Sequence, residues 1–320
     1  MREIMYLEAI KEALAEELER DEKVFIIGEG VQTGAFGTTS GLVQRFGPER
    51  IMDAPLSETA IAGVAVGASL MGYRPVADMM FADFLYCCAD EVFLKAPQWR
   101  LIQGGSQSLP CVFMASIGGY RKLGNEHSQC PTYLALHNPG IKCVCPSNPY
   151  DAKGLLKTAI RDNNPVLFLH HKGLLGMKGE VPTEDYTVPF GQAAILREGT
   201  DVTIVATSFM TFWATAAADL FAGQISCEVI DPRTLEPFDL DTVLKSLEKT
   251  NRLVIIDEDT ERCGFAAELG MQIMEHGFDL LDAPVQRVCA KNYPIPGGVM
   301  EKYVLPQPEW VLAAIEKVMQ

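Results

Sequence analysis

Five short runs, VFIIG (24–28), PVADMMF (75–81), PCVFMAS (110–116), IKCVC (141–145) and PVLFL (165–169), are apolar almost throughout, broken only by Asp78, Ser116 and Lys142. A strand with one wet face alternates apolar and polar residues, so continuous runs of this kind belong to strands covered on both faces. Between them the pattern predicts helices near 58–71, 83–100 and 149–161. Strands alternating with helices fold as a parallel sheet sandwiched by helices. From Lys172 to about Gln192 the chain turns polar and rich in Gly and Pro. The pattern then restarts with VTIVAT (202–207), CEVID (227–231), RLVIIDE (252–258) and QRVCA (286–290), and a last helix is expected over 308–319. The expectation is an α/β chain with two parallel or mixed-sheet domains, 1–180 and 196–320, joined by a linker at 181–195.

Composition narrows the function classes. A net charge of -15 on 320 residues argues against nucleic acid or an anionic membrane as partner and leaves room for a basic protein partner. The longest uncharged apolar run, Ala60 to Tyr73, is shorter than the ~20 residues a membrane span needs. The N-terminal MREIMYLEAIKEALAEELERDEKV reads as an amphipathic helix rather than a targeting peptide. The cysteines number nine, form no CxxC pair and sit mostly in apolar runs, which suits reduced core thiols in the cytoplasm. His127 and Cys130 have HxxC spacing, but no second ligand pair accompanies them for zinc.

An open parallel sheet binds ligands where its strands end and loops lead into helices. Four such places carry chemistry. After the first strand, GEGVQTGAFG has glycines without GxGxxG spacing, so the loop reads as a glycine-containing turn bearing Glu29 rather than a nicotinamide site. In IMDAPLSETAIAGVAVGASLMGYRPV, Asp53 and Glu58 are the only acids. The helix that follows Glu58 is so small-sided that it is expected to pack on more than one face, with Ser57 as N-cap and Glu58 buried or at a cleft. A carboxylate in a first helical turn is favoured by the helix dipole alone, but a buried one can also hold a proton for a ligand nitrogen. In GYRKLGNEHSQCPTYLALHNPG, His127 stands in a polar loop after a strand, a better place for proton transfer than a core. His137 reads as a turn residue, and His170 and His171 as the end of a buried strand. Finally, the helix of NPYDAKGLLKTAIRDNNP, capped by Asn148, ends at Asp162 and Asn164, where free carbonyls could hold a monovalent cation or simply form a turn.

These blocks together, GEG, FGPERIMDAPLSE, GYRPV, ADF, HSQ, PGIKCVCPSNPYDAKGLL, AIRDNNP and IDPRTLEPFD, resemble the β chains of the thiamine-diphosphate-dependent first component of 2-oxo acid dehydrogenase complexes. VCPSNPYDAKGLL, HKGLLGMKGEVPTEDYTVPFG and Cys87-Cys88 are most similar to acetoin dehydrogenase β chains. The resemblance implies a transketolase-like pyrimidine-binding domain followed by a C-terminal domain. It implies that Glu58 bonds a ring nitrogen of the cofactor's aminopyrimidine, which then takes the proton from the thiazolium carbon. Leu56 would line that ring and Phe84 stack on it. Glu29 would belong to an acidic path between paired sites, and His127 would move protons as the acyl group passes to lipoyl. Cys111, Ala159, Ile160, Asp162 and Asn164 match a potassium site.

No GDG motif for the diphosphate and its Mg²⁺ occurs in the chain. The resemblance therefore implies a partner α chain that supplies it, in an α₂β₂ heterotetramer, and a lipoyl-bearing acyltransferase whose basic peripheral-subunit-binding segment docks on the C-terminal domain. The chain departs from the family pattern at Asp90-Glu91, at Pro97 and Gln98, at Arg121 and Lys122, and at His170, where an acid often stands. Those departures bear on substrate identity: acetoin, pyruvate or a branched-chain 2-oxo acid. A non-catalytic scaffold is the reading from another class, and it has no need to keep Glu58, Phe84 and His127 together.

Overall fold

The computed structural model describes all 320 residues, Met1–Gln320. Their contacts divide them into two compact units: Met1–Ile117 with Leu134–Phe190, and Gly118–Tyr133 with Gly191–Gln320. The first unit opens with β1 (Arg2–Met5), α1 (Tyr6–Arg20), β2 (Val24–Gly28), α2 (Leu42–Phe46), β3 (Ile51–Asp53), α3 (Glu58–Leu70) and β4 (Arg74–Phe81). A 3₁₀ stretch (Ala82–Cys88) and a π turn (Asp90–Lys95) then lead into α4 (Ala96–Ile102). The expected helix over 83–100 is thus one helical run with an irregular start. Beyond it come β5 (Val112–Ile117), a short α5 (Tyr133–Leu136), β6 (Lys142–Val144), α6 (Pro149–Arg161), β7 (Val166–His171) and β8 (Lys178–Val181).

Six parallel strands of this unit lie in the order β6-β7-β5-β4-β2-β3. Every residue of β2, β5 and β7 is buried, as their continuous apolar runs require. Helix α1 covers the sheet with Tyr6, Ala9, Ile10, Ala13 and Leu14, all fully buried. It lies against α6 through an unusual charged seam. Lys153 and Lys157 are wholly buried, yet Lys153 Nζ donates to Glu12 (3.2 Å) and Glu16 (2.6 Å), and Lys157 Nζ to Glu16 (2.5 Å) and to Asp185. Arg161 grips the buried Glu17 at 2.6–3.1 Å. Burial raises the Glu16 pKa, but the two lysines outweigh it and hold the carboxyl below its ordinary range.

Two local expectations meet a different outcome. The first residues, expected inside the leading helix, instead form β1, which pairs antiparallel with β8. Residues 183–190, expected within a linker, lie along α6. Tyr186 stacks on Tyr150 with ring centres 4.7 Å apart, and Val188 N–H donates to the Gly154 carbonyl at 3.2 Å. Gly154 is what admits them, because a Cβ there would stand 2.5 Å from Val188 Cγ2.

The second unit contains β9 (Ala194–Arg197), β10 (Val202–Ala206), α7 (Met210–Leu220), β11 (Cys227–Asp231), β12 (Thr234–Glu236), α8 (Leu240–Thr250), β13 (Leu253–Thr260), α9 (Phe265–His276), β14 (Gln286–Ala290) and α10 (Pro308–Val318). Its sheet runs β14-β13-β10-β11-β9, parallel except for β9. Met210, Ala214 and Ala218 of α7 and Val311, Ile315 and Val318 of α10 close one core over β10, β11 and β13. The chain leaves β10 toward β11 and later returns to β13 on the other side, so β10 and β13 flank the point where the winding reverses. No helix in the structure is long and apolar enough to cross a membrane.

Candidate active site

In the first unit, β2, β3 and β4 deliver Gly28, Asp53 and Asp78 to one row at their carboxyl ends. Gly28 is required there, since a Cβ would meet the Asp78 carbonyl at 2.6 Å. Beyond that row the Glu29 loop folds against β3, with Gln32 N–H donating to Asp53 at 2.8 Å. Glu29 is half-buried.

Glu58 begins α3, with Ser57 at the N-cap position but making no side-chain capping bond. The helix does not pack all round within this chain. Ile61, Ala62, Ala65 and Ser69 are buried, while Ala60, Val64, Gly67 and Met71 form an open stripe at helical spacing. Glu58 is accordingly half-buried rather than enclosed, and Leu56 is 74% exposed. The expectation was a helix packed on more than one face with Glu58 buried or at a cleft; within this chain one face is packed and the small-residue stripe faces outward.

The 3₁₀ segment after β4 brings Phe84 to the same place. Thr59 Oγ1 donates to the Cys87 carbonyl at 2.8 Å, tying the first turn of α3 to that segment. Phe84 meets Phe81 edge-on at 5.7 Å, and Phe81 meets Phe36 at 5.1 Å. Burial, then the charges of Glu91 and Glu58, push the Cys88 thiol up to about 12, so that cysteine is an inert packing group. One carboxylate, one exposed Leu and a half-buried aromatic ring thus converge at a strand end.

Two buried polar groups here, Asp78 and Ser116, are not singled out as candidates in the sequence, and His170 stands there only as a strand end and a departure from the family pattern. Burial pushes Asp78 up to about 6, although it accepts the Met80 N–H at 3.0 Å. Phe81, Ser116 and His170 stand side by side across β4, β5 and β7. His170 is 1% exposed and neither ring nitrogen has a partner, and Ser116 Oγ beside it also has none. Burial, with Lys172 and His171 adding repulsion, lowers His170 to about 3, so it is a neutral imidazole. His171 does cap the strand, accepting the Gly173 N–H on Nδ1 at 2.9 Å.

The five cation-site positions gather at the opposite, amino ends of β5 and β7. Arg74 Nη1 donates to the carbonyls of Ile160 (3.0 Å) and Asp162 (2.8 Å). The Cys111 carbonyl accepts from Val166 N–H and that of Ala159 from Asp162 N–H. Asn164 Oδ1 accepts from Arg100 at 2.8 Å. Burial works against the Asp162 carboxylate, but Lys142 and Asn164 hold it below its usual range. The cluster is oxygen-rich and already engaged by a guanidinium and an ammonium.

His127 belongs to the second unit, in the segment Gly118–Tyr133. It is half-buried, and its N–H reaches the Gly124 carbonyl at 3.3 Å. Ser128 beside it is fully buried.

Comparison with known proteins agrees with this layout. Residues 2–178 match the family described as transketolase, pyrimidine binding domain, and residues 191–311 match transketolase, C-terminal domain. The chain is 42% identical to the acetoin:2,6-dichlorophenolindophenol oxidoreductase subunit beta of Cupriavidus necator, over 98% of this chain and 96% of that one. It is 42% identical to the pyruvate dehydrogenase E1 component subunit beta of Rickettsia felis, over 99% and 98%, and 40% identical to the 2-oxoisovalerate dehydrogenase subunit beta of Bacillus subtilis, over 99% of each chain. A solved structure titled split gene transketolase, inactive beta4 tetramer, superposes with a TM-score of 0.77 at 26% identity, covering 99% of this chain and 98% of that one. With both domain matches and this end-to-end identity, the chain belongs to the family of β subunits of acetoin and 2-oxo acid dehydrogenase first components, built on the transketolase fold.

Proposed function

We propose that this chain is the catalytic β subunit of a thiamine-diphosphate-dependent enzyme that cleaves acetoin oxidatively and passes the acyl unit to the lipoyl group of an acyltransferase. The observation that carries this reading is its full-length similarity to acetoin oxidoreductase β subunits. The convergence of Glu58 and Phe84 at one strand end supports it. When bound, the cofactor supplies a thiazolium carbon as nucleophile toward the substrate carbonyl.

The chain's own residues do the rest. Leu56 and Phe84 hold the aminopyrimidine by apolar contact and ring stacking. Glu58 hydrogen-bonds a ring nitrogen and keeps a proton there. Glu29 lies on an acidic route toward the paired site, and His127 moves a proton when the acyl group leaves. The diphosphate and Mg²⁺ belong to an α subunit in an α₂β₂ heterotetramer, and the open stripe Ala60, Val64, Gly67 and Met71 suits a subunit contact. A basic peripheral-subunit-binding segment of the acyltransferase would find complementary charge on a chain of net charge -15. Potassium is assigned to the carbonyls of Cys111, Ala159, Ile160 and Asp162 with Asn164; Arg74 engages two of these carbonyls, each of which has a second lone pair. The domain bounds 1–180 and 196–320 and a cytoplasmic location complete the proposal.

Pyruvate or a branched-chain 2-oxo acid as substrate is the second reading, favoured by the equally high identity to a pyruvate dehydrogenase β subunit. The test co-expresses the chain with its α partner, adds thiamine diphosphate and Mg²⁺, and follows reduction of an artificial electron acceptor. Activity with acetoin and not with either oxo acid supports the first reading. Preference for an oxo acid moves the enzyme to the decarboxylating branch, and a stable but inactive complex points to a scaffold.

A further inference from the structure

Three consecutive acids, Asp257, Glu258 and Asp259, are buried at the carboxyl end of β13, and the family reading gives them no task. They occupy the stretch between Ile256 and Thr260 where the register of β13 on β14 shifts, an irregularity of the kind that re-aims side chains. Asp257 is tied inward, accepting from Thr207 Oγ1 at 2.9 Å and from Ala266 N–H at 3.4 Å. The other two reach the segment that carries His127. Glu258 accepts the Gly119 N–H near its start, and Asp259 accepts from Thr132 Oγ1 at 3.0 Å near its end. Glu301 adds a third hold, accepting the Lys122 N–H at 3.2 Å. Gly118 N–H donates to the Gln129 carbonyl at 3.1 Å and closes the neck of the loop. Tyr120 pins the same side, its hydroxyl donating to the Pro306 carbonyl at 3.1 Å and its ring lying against Phe209 and Trp213. Every one of these anchors lies outside the stretch from Leu123 to Ser128, so the segment that carries His127 is fixed on both sides of it.

We infer that Glu258 and Asp259 are positioning residues for His127, fixing the two ends of its loop through Gly119 and Thr132 and so setting where the imidazole stands. This rests on the reading that His127 serves acyl transfer. A carboxyl group is suited to the task because its two oxygens accept several donors at once. Asp259 takes both Thr132 Oγ1 and the Thr260 N–H, at 3.0 and 2.7 Å.

The anchor at Asp259 also titrates. Burial first, and the neighbouring Asp257 charge second, push it up to about 7. The groups facing the pair are Glu258 on the same strand, Arg262 just beyond it in a crevice that Asp259 also lines, and Cys289 from β14. That crevice, of about 480 Å³ and lined as well by Asn125, Gln129 and Tyr293, opens Asp259 to water. Because the packed value lies above that of a solvated carboxyl, the hold is complete below the solvated value of 3.8. It is lost as pH rises through about 7, since ionisation favours any opening that hydrates the group.

Hydrogen exchange of residues 118–133, in the complete complex with the α partner and corrected for the intrinsic pH dependence of exchange, tests this. For one proton released with a midpoint near 7, protection in the wild-type loop should fall about tenfold between pH 6 and pH 8. Asp259→Asn, neutral throughout and still an acceptor for Thr132, should hold protection level across that range. Thr132→Val should lower loop protection several-fold at every pH while β10 and β11 stay unchanged. It should also slow acyl transfer without weakening cofactor binding, and Thr132→Ser should restore both. Loop protection that matches wild type in both Asp259→Asn and Thr132→Val at every pH overturns the inference. Should His127→Ala leave acyl transfer unchanged while the exchange results come out as expected, the reading of His127 fails and the anchoring of the loop stands.

Discussion

Replacing a helical glycine with alanine should have opposite signs at two places in this chain. An interior helical Gly→Ala gains about 1 kcal/mol from propensity alone. At Gly270 in α9 a new Cβ meets nothing within 4 Å, so Gly270→Ala should be more stable by roughly that amount. At Gly154 in α6 the same methyl would lie 2.5 Å from Val188 Cγ2, 2.9 Å from Tyr186 Cε2 and 3.1 Å from Val188 N. Two of those contacts can yield by side-chain movement, but the third is backbone, so the 186–188 segment must shift. That shift strains the Val188 N–H bond to the Gly154 carbonyl and the 2.6 Å bond from Thr158 Oγ1 to the Val188 carbonyl. Overpacking costs about 1–3 kcal/mol and each strained bond about 1 kcal/mol, which outweighs the propensity gain. Gly154→Ala should therefore be less stable by about 2–4 kcal/mol. Thermal unfolding of both variants beside wild type decides it. A Tm for Gly154→Ala that rises as much as that of Gly270→Ala would refute the close packing of 183–190 on α6.

Other perturbations follow from the same geometry. Lys157 and Arg161 hold Asp185 down to about 2, so its contribution is present above pH 3.8 and lost as pH falls toward 2; Asp185→Asn should flatten that part of the acid-denaturation curve. His170, lowered to about 3, must stay neutral, so its contribution is lost below pH 6.5. At pH 5 the wild type should have lost about 2 kcal/mol that His170→Gln does not lose, read from urea unfolding at pH 7 and pH 5. Phe113, fully buried in β5, should cost about 3–5 kcal/mol when cut to alanine, seen as a lower yield and a lower Tm. Potassium should raise the Tm relative to choline at equal ionic strength, and an unchanged Tm would count against the assignment at Ile160 and Asp162.

The parts of this fold that were legible in the sequence are those fixed by local chemistry. Strands such as VFIIG and PVLFL announce a parallel sheet because burial on both faces leaves no polar period. Helix α6 begins and ends where Asn148 and Asp162 say it should, and Asn148 does accept the Asp151 N–H. What was hidden depends on contacts far apart in sequence. Nothing local says that residues 183–190 lie on α6, since the space for them is created by the missing side chain of Gly154. Nothing near His127 shows that its loop hangs from Glu258, Asp259 and Glu301, which lie more than a hundred residues away. Helix α3 was legible only in part: small residues signal close packing but not whose surface is packed, and Ala60, Val64 and Gly67 remain open within the chain. Asp78 passed unnoticed because an acid in an apolar strand looks like an ordinary interruption until its burial is seen, and the end of a buried strand gave no sign that His170 would lack partners there.

The most direct test of the account is the turnover of Glu58→Gln in the complex with the α subunit, measured beside its affinity for thiamine diphosphate. Glutamine keeps the shape of the side chain but cannot hold and return the proton at the aminopyrimidine. The account expects an intact heterotetramer that binds the cofactor and has lost at least a hundredfold in turnover, about 2.7 kcal/mol of barrier. Near-normal turnover with bound cofactor would contradict it and remove Glu58 from the chemistry.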